Sequence, residues 1–177
     1  MEGARRLIVC LTPVKDEAWI LDRFLRCAAT WADHIIVADH GSIDGSRAIA
    51  LDSVKTKLIE IPLDRWDERV RQRLLIDATR SIPNAGKLTM IALNADEALS
   101  ANWRNSPEWN KLLRAAPGTV LAFQWVNLLP GCLRTWFSHE PVTLGDLLLS
   151  ASSIRFGLVT PAGTRADSAA GAHALRP

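Results

Sequence analysis

Four short apolar runs alternate with amphipathic segments over the first hundred residues, and this alternation restricts the possible folds more than any other feature of the chain. The runs cover residues 7–12, 34–39, 57–61 and 88–93. Apolar, β-branched runs of this length are typical of strands buried on both faces of a sheet. Strands that alternate with helices form parallel sheets, because each crossover returns the chain to the same end of the sheet. The sequence therefore predicts an α/β fold, with a mostly parallel sheet flanked by helices on both faces.

The segments between the runs carry helical patterns. We expect helices over about 17–31, 46–52, 66–82 and 108–115, followed by a strand over 119–129. In the first helix, the residues at helical spacing are Leu21, Phe24, Leu25 and Ala28. In the third helix, the stripe expected to face the sheet is Val70, Leu74, Ala78 and Ile82. Both stripes follow the spacing of an amphipathic helix that buries one side.

Composition excludes several classes of protein. A net charge of +2 and the lack of a basic run argue against nucleic acid or an anionic membrane surface as a partner. The apolar run at 7–11 is too short for a signal-peptide core or a membrane span. The cysteines Cys10, Cys27 and Cys132 lie far apart without metal-ligand spacing, so we expect reduced thiols and a cytoplasmic protein.

Acidic residues follow three of the four predicted strands directly. Asp16 and Glu17 follow the first strand, Asp39 ends the second, and Asp96 and Glu97 follow the fourth. The carboxyl ends of parallel strands share one edge of the sheet, which is where open α/β sheets bind ligands. Clustered carboxylates repel one another unless a cation joins them, and Mg²⁺ or Mn²⁺ binds such oxygens together with substrate phosphates. The sequence therefore predicts a site for a divalent metal and a diphosphate.

Two segments carry a more specific resemblance. The run PVKDEAWILDRFLRCAATWADHIIVADHGSIDGS resembles the start of family 2 glycosyltransferases, where a Pro and an Asn-Glu pair precede a strand ending in Asp and a Gly-Ser-x-Asp-Gly loop. The run LTMIALNADEALS resembles the family's strand with its Asp-Ala-Asp-Glu motif. Asp16 stands where the family more often has Asn, and Asn94 replaces the first Asp of the motif. The resemblance covers residues 7–99 and implies a GT-A fold.

The resemblance also implies roles for the matched residues. The residues implied to contact the nucleotide are Pro13, Glu17, Asp39, Arg73 and Asn94. Asp96 would ligate a divalent metal, Mn²⁺ or Mg²⁺, that bridges the diphosphate, with Glu97 as possible support. The implied activity is transfer of a sugar from a nucleotide-diphosphate sugar to a glycan, lipid or protein acceptor that the sequence does not identify.

The second half of the chain leaves the catalytic base unknown. In inverting members of the family, a carboxylate downstream of the metal motif activates the acceptor hydroxyl. The acids after residue 100 are Glu108, Glu140, Asp146 and Asp167, and none is identified as that base. We expect residues 1–137 to form a nucleotide-sugar-binding domain. Residues 138–177 are expected to be a poorly ordered or unrelated tail, as in a copy truncated in its acceptor half.

Each motif also has a simpler interpretation. Asp39 also fits a loop-capping residue, and Asp96 and Glu97 also fit the N-cap of a following helix. Arg73 fits a solvated position on a helix face better than a ligand contact. Of the tryptophans, Trp19, Trp31 and Trp66 are expected to pack helices onto the sheet, and Trp103 and Trp109 are the candidates for sugar stacking.

Other nucleotide-binding classes fit poorly. A Rossmann dehydrogenase or a sugar nucleotidyltransferase needs a glycine-rich turn after the first strand, and TPVKDE has no glycine. A P-loop enzyme needs GxxxxGK[ST], which the sequence lacks. The remaining alternative is a non-catalytic remnant that binds a nucleotide-sugar or serves only as a folded module.

Overall fold

The computed structural model describes residues 6–61, 67–83, 86–128, 135–137 and 155–160, with side chains as far as residue 121. Its strands are β1 (Leu7–Val14), β2 (His34–Asp39), β3 (Thr56–Glu60), β4 (Leu88–Ala92), β5 (Glu97–Leu99), β6 (Ala122–Leu128), β7 (Thr135–Phe137) and β8 (Arg155–Thr160). Its α-helices are α1 (Ala18–Ala28), α2 (Ser46–Asp52), α3 (Glu68–Arg80) and α4 (Pro107–Arg114). The predicted strands and helices of the first hundred residues are present, with ends that differ by a few residues.

The first four strands form one parallel sheet in the order β3-β2-β1-β4. At its centre, Cys10 of β1 lies opposite Ile35 of β2 and Ile91 of β4. This arrangement confirms the predicted α/β class and its parallel sheet, and it is compatible with a Rossmann-like fold. The narrower GT-A topology stays a prediction.

Alternate residues of β1 face two different hydrophobic clusters. Cys10 and Val14 belong to the cluster that contains the buried side of α1, including Leu21 and Phe24. Val9 and Leu11 belong to the cluster that contains Leu75 of α3. The predicted stripe of α1 is buried as expected. Helices therefore cover both faces of the sheet, which is why its strands read as continuous apolar runs.

The buried side of α3 differs from the prediction. Arg71, Leu75 and Thr79 are its buried residues, whereas Val70 is 44% exposed. The other members of the predicted stripe, Leu74, Ala78 and Ile82, are only partly buried. The helix is thus rotated about its axis, so that each buried position lies one residue after the predicted one. Burial of Arg71 is possible because its guanidinium forms an ion pair with Glu68 on the preceding turn.

The region after β4 holds a second sheet in the order β5-β8-β6-β7. The interpretation of Asp96 and Glu97 as the start of a helix is wrong, because Glu97 begins β5. The start of α4 is as predicted, with the Ser106 Oγ accepting a hydrogen bond from the backbone N–H of Trp109 at 3.1 Å and Pro107 in the first turn.

The predicted tail contributes one strand to this second sheet. β8 is parallel to β5 and antiparallel to β6. Residues 161–177, interpreted from composition as weakly ordered, lie outside the described residues. In the described part of the chain, no helix has the length and apolar character needed to span a bilayer.

Candidate functional site

The carboxyl ends of three parallel strands place the predicted acidic segments along one edge of the sheet. In β1, Val14 lies opposite Asp39, the last residue of β2. Leu11 of β1 lies opposite Ala92, the last residue of β4, and its carbonyl accepts a hydrogen bond from the Leu93 N–H at 3.0 Å. The segments that follow these strands are therefore neighbours, as the parallel topology predicts.

Residues 15–18 and 41–46 are joined by five hydrogen bonds, and we call these two segments the loop clamp. The bonds are Lys15 Nζ to the Gly41 carbonyl (2.6 Å), Asp16 N to Ser42 Oγ (2.9 Å), Ile43 N to Asp16 Oδ1 (2.8 Å), Glu17 N to Ser46 Oγ (2.9 Å) and Ala18 N to Asp44 Oδ2 (2.8 Å). In four of them a backbone N–H donates to a side-chain oxygen, which takes the place of a backbone acceptor. The clamp fixes the backbone that carries Glu17.

Asp16 is the one described non-glycine residue in the left-handed backbone region, with φ of 54°. Asn and Asp tolerate this conformation better than other residues with a side chain. Its Oδ1 also accepts the bond from Ile43, as the amide oxygen of Asn would. The position therefore selects Asn or Asp for a structural reason, which accounts for Asp where the resembled family has Asn.

The Asp39 carboxylate is 1% exposed and is held within the loop that follows it. It accepts hydrogen bonds from the Ser42 N–H at 3.1 Å and from Arg47 Nη1 at 2.9 Å. Burial alone would raise the pKa of Asp39, but the hydrogen bonds from Ser42 and Arg47 outweigh burial and lower the pKa. The loop-capping contact left open by the sequence is thus present, and a direct contact of Asp39 with a nucleotide stays a prediction.

Arg47 is a residue that sequence reasoning missed. Its guanidinium, on the first turn of α2, joins buried Asp39 to Glu60 at the end of β3. No local pattern pairs Arg47 with Asp39, because their contact depends on how the chain turns between β2 and α2. The contact ties three segments of this edge together and gives Asp39 a compensating positive charge.

Glu17 and Asp96 are the two predicted ligands that the structure couples electrostatically. Burial raises the pKa of Glu17, a hydrogen bond from Trp19 opposes this change, and the negative charges of Asp96, Asp44 and Asp16 raise the pKa further. Asp96 and Glu17 come from different strands and are both partly buried. Burial is the largest cause of the raised pKa, and the part that comes from the neighbouring carboxylates is the part that a bound cation would relieve.

Glu97 is directed at Asn94 rather than arranged as a second metal ligand. Its two carboxylate oxygens accept hydrogen bonds from the Asn94 N–H at 2.8 Å and from Asn94 Nδ2 at 3.0 Å. Glu97 is 2% exposed, so these bonds compensate for the burial of its charge. The side-chain amide of Asn94 therefore donates to a buried carboxylate, which the side chain of an ionised aspartate at this position could not do.

The other predicted contacts are placed as follows. Pro13 lies in β1 opposite Ala38, at the edge that carries the acidic segments, and is partly buried. The side chain of Arg73 is 84% exposed on α3, and its Nε lies 3.8 Å from the Asp77 carboxylate. The structure thus places Pro13 with the candidate site, whereas Arg73 has the exposed helix-face position that the sequence left as the alternative.

The tryptophans are distributed differently from the prediction. Trp31 is buried as expected, but Trp19 is 65% exposed, and Trp66 lies outside the described residues. Trp109, a candidate for sugar stacking, is instead 7% exposed in the core, with its ring centroid 4.5 Å from that of Trp103. Trp103 is partly buried against the same core, and the Arg104 guanidinium lies over its ring. Burial removes Trp109 as a carbohydrate platform.

The described residues contain no group of three or more His, Cys, Asp and Glu side chains arranged to hold a metal ion. A metal contact of Asp96 therefore stays a prediction. Comparison of the chain with protein-family models finds no match, and comparison with curated proteins finds none either.

Proposed function

We propose that this chain is a glycosyltransferase of the family 2 type, which binds a nucleotide-diphosphate sugar and a divalent metal at the carboxyl edge of its parallel sheet. The observation that carries the proposal is the placement of Glu17, Asp39 and Asp96 at the carboxyl ends of neighbouring parallel strands, along one edge of the sheet. The charge of Asp96 is also among the causes that raise the pKa of Glu17. The family resemblance implies nucleotide contacts for Glu17 and Asp39, among others, and a metal contact for Asp96. The loop clamp supports it by fixing the segment that carries Glu17.

The residues present fit a metal of the Mg²⁺ or Mn²⁺ type held mainly by its substrate. Such ions are often bound by one or two carboxylates, with waters and substrate phosphates supplying the other ligands. Asp96 would supply one such carboxylate, and Glu17, on which the charge of Asp96 acts, would supply the second. When bound, the metal would neutralise charge on the diphosphate leaving group. Asn94 would contribute neutral hydrogen bonding to the nucleotide without adding charge.

A binding module without sugar transfer is the alternative. It is favoured by Asn94, which leaves the motif with one carboxylate fewer, and by the commitment of Glu97 to Asn94. Of the four downstream acids, Glu108 lies in the first turn of α4, and Glu140, Asp146 and Asp167 lie outside the described residues.

The proposal is tested by thermal unfolding with UDP, GDP or TDP in the presence of Mn²⁺. We expect one of these nucleotides to raise the melting temperature of the wild-type chain, because a ligand that binds only the folded state stabilises it by mass action. Asp96→Ala should abolish the shift. Asp52→Ala, at the exposed end of α2, removes an equal charge away from the site and should leave the shift unchanged.

Absence of a shift with all three nucleotides would contradict the proposed site. Where a nucleotide binds, incubation with the matching nucleotide-sugar separates the two functions. Release of free nucleotide supports a transferase or hydrolase activity, whereas binding without release supports the binding module.

A further inference from the structure

We propose that Trp19 is the stacking platform for the nucleobase of the bound nucleotide, an inference that rests on the proposed function and adds a base-recognising residue to it. Trp19 lies in the first turn of α1, two residues after Glu17. Its side chain is 65% exposed. A single exposed aromatic side chain needs no explanation by itself. The position of this one, bonded to Glu17 at the candidate site, is what suggests a binding role.

The indole of Trp19 is held in place by the site itself. Its Nε1 donates a hydrogen bond to Glu17 Oε2 at 3.0 Å. The backbone that precedes it is fixed by the loop clamp, through Glu17 N to Ser46 Oγ and Ala18 N to Asp44 Oδ2. An aromatic ring fixed before the ligand arrives loses less conformational freedom on binding than a mobile ring does.

The neighbouring loop adds a second exposed apolar side chain. Ile43 is 92% exposed, and its backbone N–H is bonded to Asp16 Oδ1 at 2.8 Å, so it belongs to the segment clamped against the start of α1. Ile43 lies within one segment of the loop clamp, and Trp19 directly follows the other, so both are apolar groups at an edge that carries several acidic residues. An acidic edge with an apolar, aromatic element suits a ligand with a flat uncharged ring at one end and a metal-bound anion at the other.

The position of Trp19 favours the base over the sugar as its partner. Trp19 is bonded to Glu17, which is assigned to the nucleotide, whereas the metal and diphosphate are assigned to Asp96, on a different segment. A nucleotide whose diphosphate lies at Asp96 would direct its base toward the Glu17 side. Stacking on an aromatic face tolerates any base, because every base has a π-face.

The test compares a nucleotide with pyrophosphate, each titrated with Mn²⁺ into the full chain by calorimetry. The nucleotide is whichever of UDP, GDP and TDP stabilises the wild-type chain most. Loss of the indole in Trp19→Ala should weaken nucleotide binding roughly 10-fold, or about 1.4 kcal/mol, and leave pyrophosphate binding unchanged. Trp19→Phe retains a ring and should recover most of the affinity. Val54→Ala, at a fully exposed position after α2, is the control and should bind both ligands like the wild type.

The outcomes separate this inference from the proposed function. Nucleotide binding that Trp19→Ala leaves intact overturns the stacking role but keeps the donor site. Equal weakening of nucleotide and pyrophosphate shows that Trp19 acts only by supporting Glu17, and also overturns it. A wild-type chain that binds no nucleotide overturns both proposals. A nucleotide-induced change of fluorescence seen in the wild type and lost in Trp19→Phe would support stacking directly.

Discussion

Removal of the Ser46 hydroxyl would break the loop clamp at its most buried point. Ser46 is 0% exposed. Its Oγ accepts a hydrogen bond from the Glu17 N–H at 2.9 Å and donates one to Asp44 Oδ1 at 2.6 Å. Ser46→Ala therefore leaves the Glu17 N–H, at the start of α1, without its acceptor. The substitution removes one oxygen and creates little empty space, so the effect is chiefly the loss of these bonds.

The cost follows from the donor that is left unsatisfied. A buried donor without a partner costs about 1–3 kcal/mol, and we expect the lower end of this range because the Glu17 N–H is only partly buried. For a chain of this length, each 1 kcal/mol lowers the melting temperature by about 2–4 °C. We therefore expect Ser46→Ala to lower the melting temperature by at least about 2 °C. Nucleotide affinity should also fall, because Glu17 is no longer fixed.

Thermal unfolding followed by circular dichroism measures the change in stability. Ser53→Ala, at the other end of α2, is the matched control, because the Ser53 backbone carbonyl is what accepts the 3.1 Å bond from Thr56. The control should unfold like the wild type. If Ser46→Ala and Ser53→Ala unfold at the same temperature, the clamp does not stabilise the edge of the sheet and the reasoning fails.

Three further substitutions test other parts of the site and the core. Asn94→Asp puts a carboxylate in place of the Nδ2 donor to buried Glu97. We expect the free energy of unfolding, measured by denaturant titration, to fall by about 1–3 kcal/mol at neutral pH and by less in acid. A loss that does not change with pH would contradict this explanation. Trp109→Ala should lower the free energy of unfolding by about 3–5 kcal/mol because Trp109 is buried, whereas Trp19→Ala should change it little because Trp19 is exposed. Similar losses for the two variants would refute the burial assignments. The raised pKa of Glu17 means that its charged form is disfavoured in the folded state, so Glu17→Gln should raise the melting temperature at neutral pH. This gain should vanish as the pH falls through the pKa of Glu17. A gain that persists in acid would exclude this cause.

The fold of the first hundred residues could be predicted because burial leaves a direct pattern in the sequence. A strand covered on both faces has to be apolar along its length, and the runs at β1, β2 and β4 are. The face of α3 could not be predicted in the same way. Arg71 looks like a solvent residue in the sequence, and only its ion pair with Glu68 makes its burial possible.

The candidate site was predictable in place but not in detail. The topology alone puts Glu17, Asp39 and Asp96 at one edge. The contacts of Asp39 with Arg47 and of Asn94 with Glu97 depend on loop geometry, which no periodicity encodes. The exposure of Trp19 is indicated by the sequence, because Trp19 falls off the helical stripe that begins at Leu21.

The pairing of β5 with β8 has a consequence for the order in which the molecule is built. Glu97, one residue after Asp96, is paired with Arg155, whereas β1 through β4 pair only with one another. During synthesis the parallel sheet and the loop clamp can form while β8 is still within the ribosome, because chains emerge from their N-terminus. β5, the strand next to Asp96, pairs with β8 only after the long stretch of chain between them has closed into a loop. Pairing between such distant segments is slow. Of the two halves of the proposed site, the half that would hold the metal is thus the last to mature.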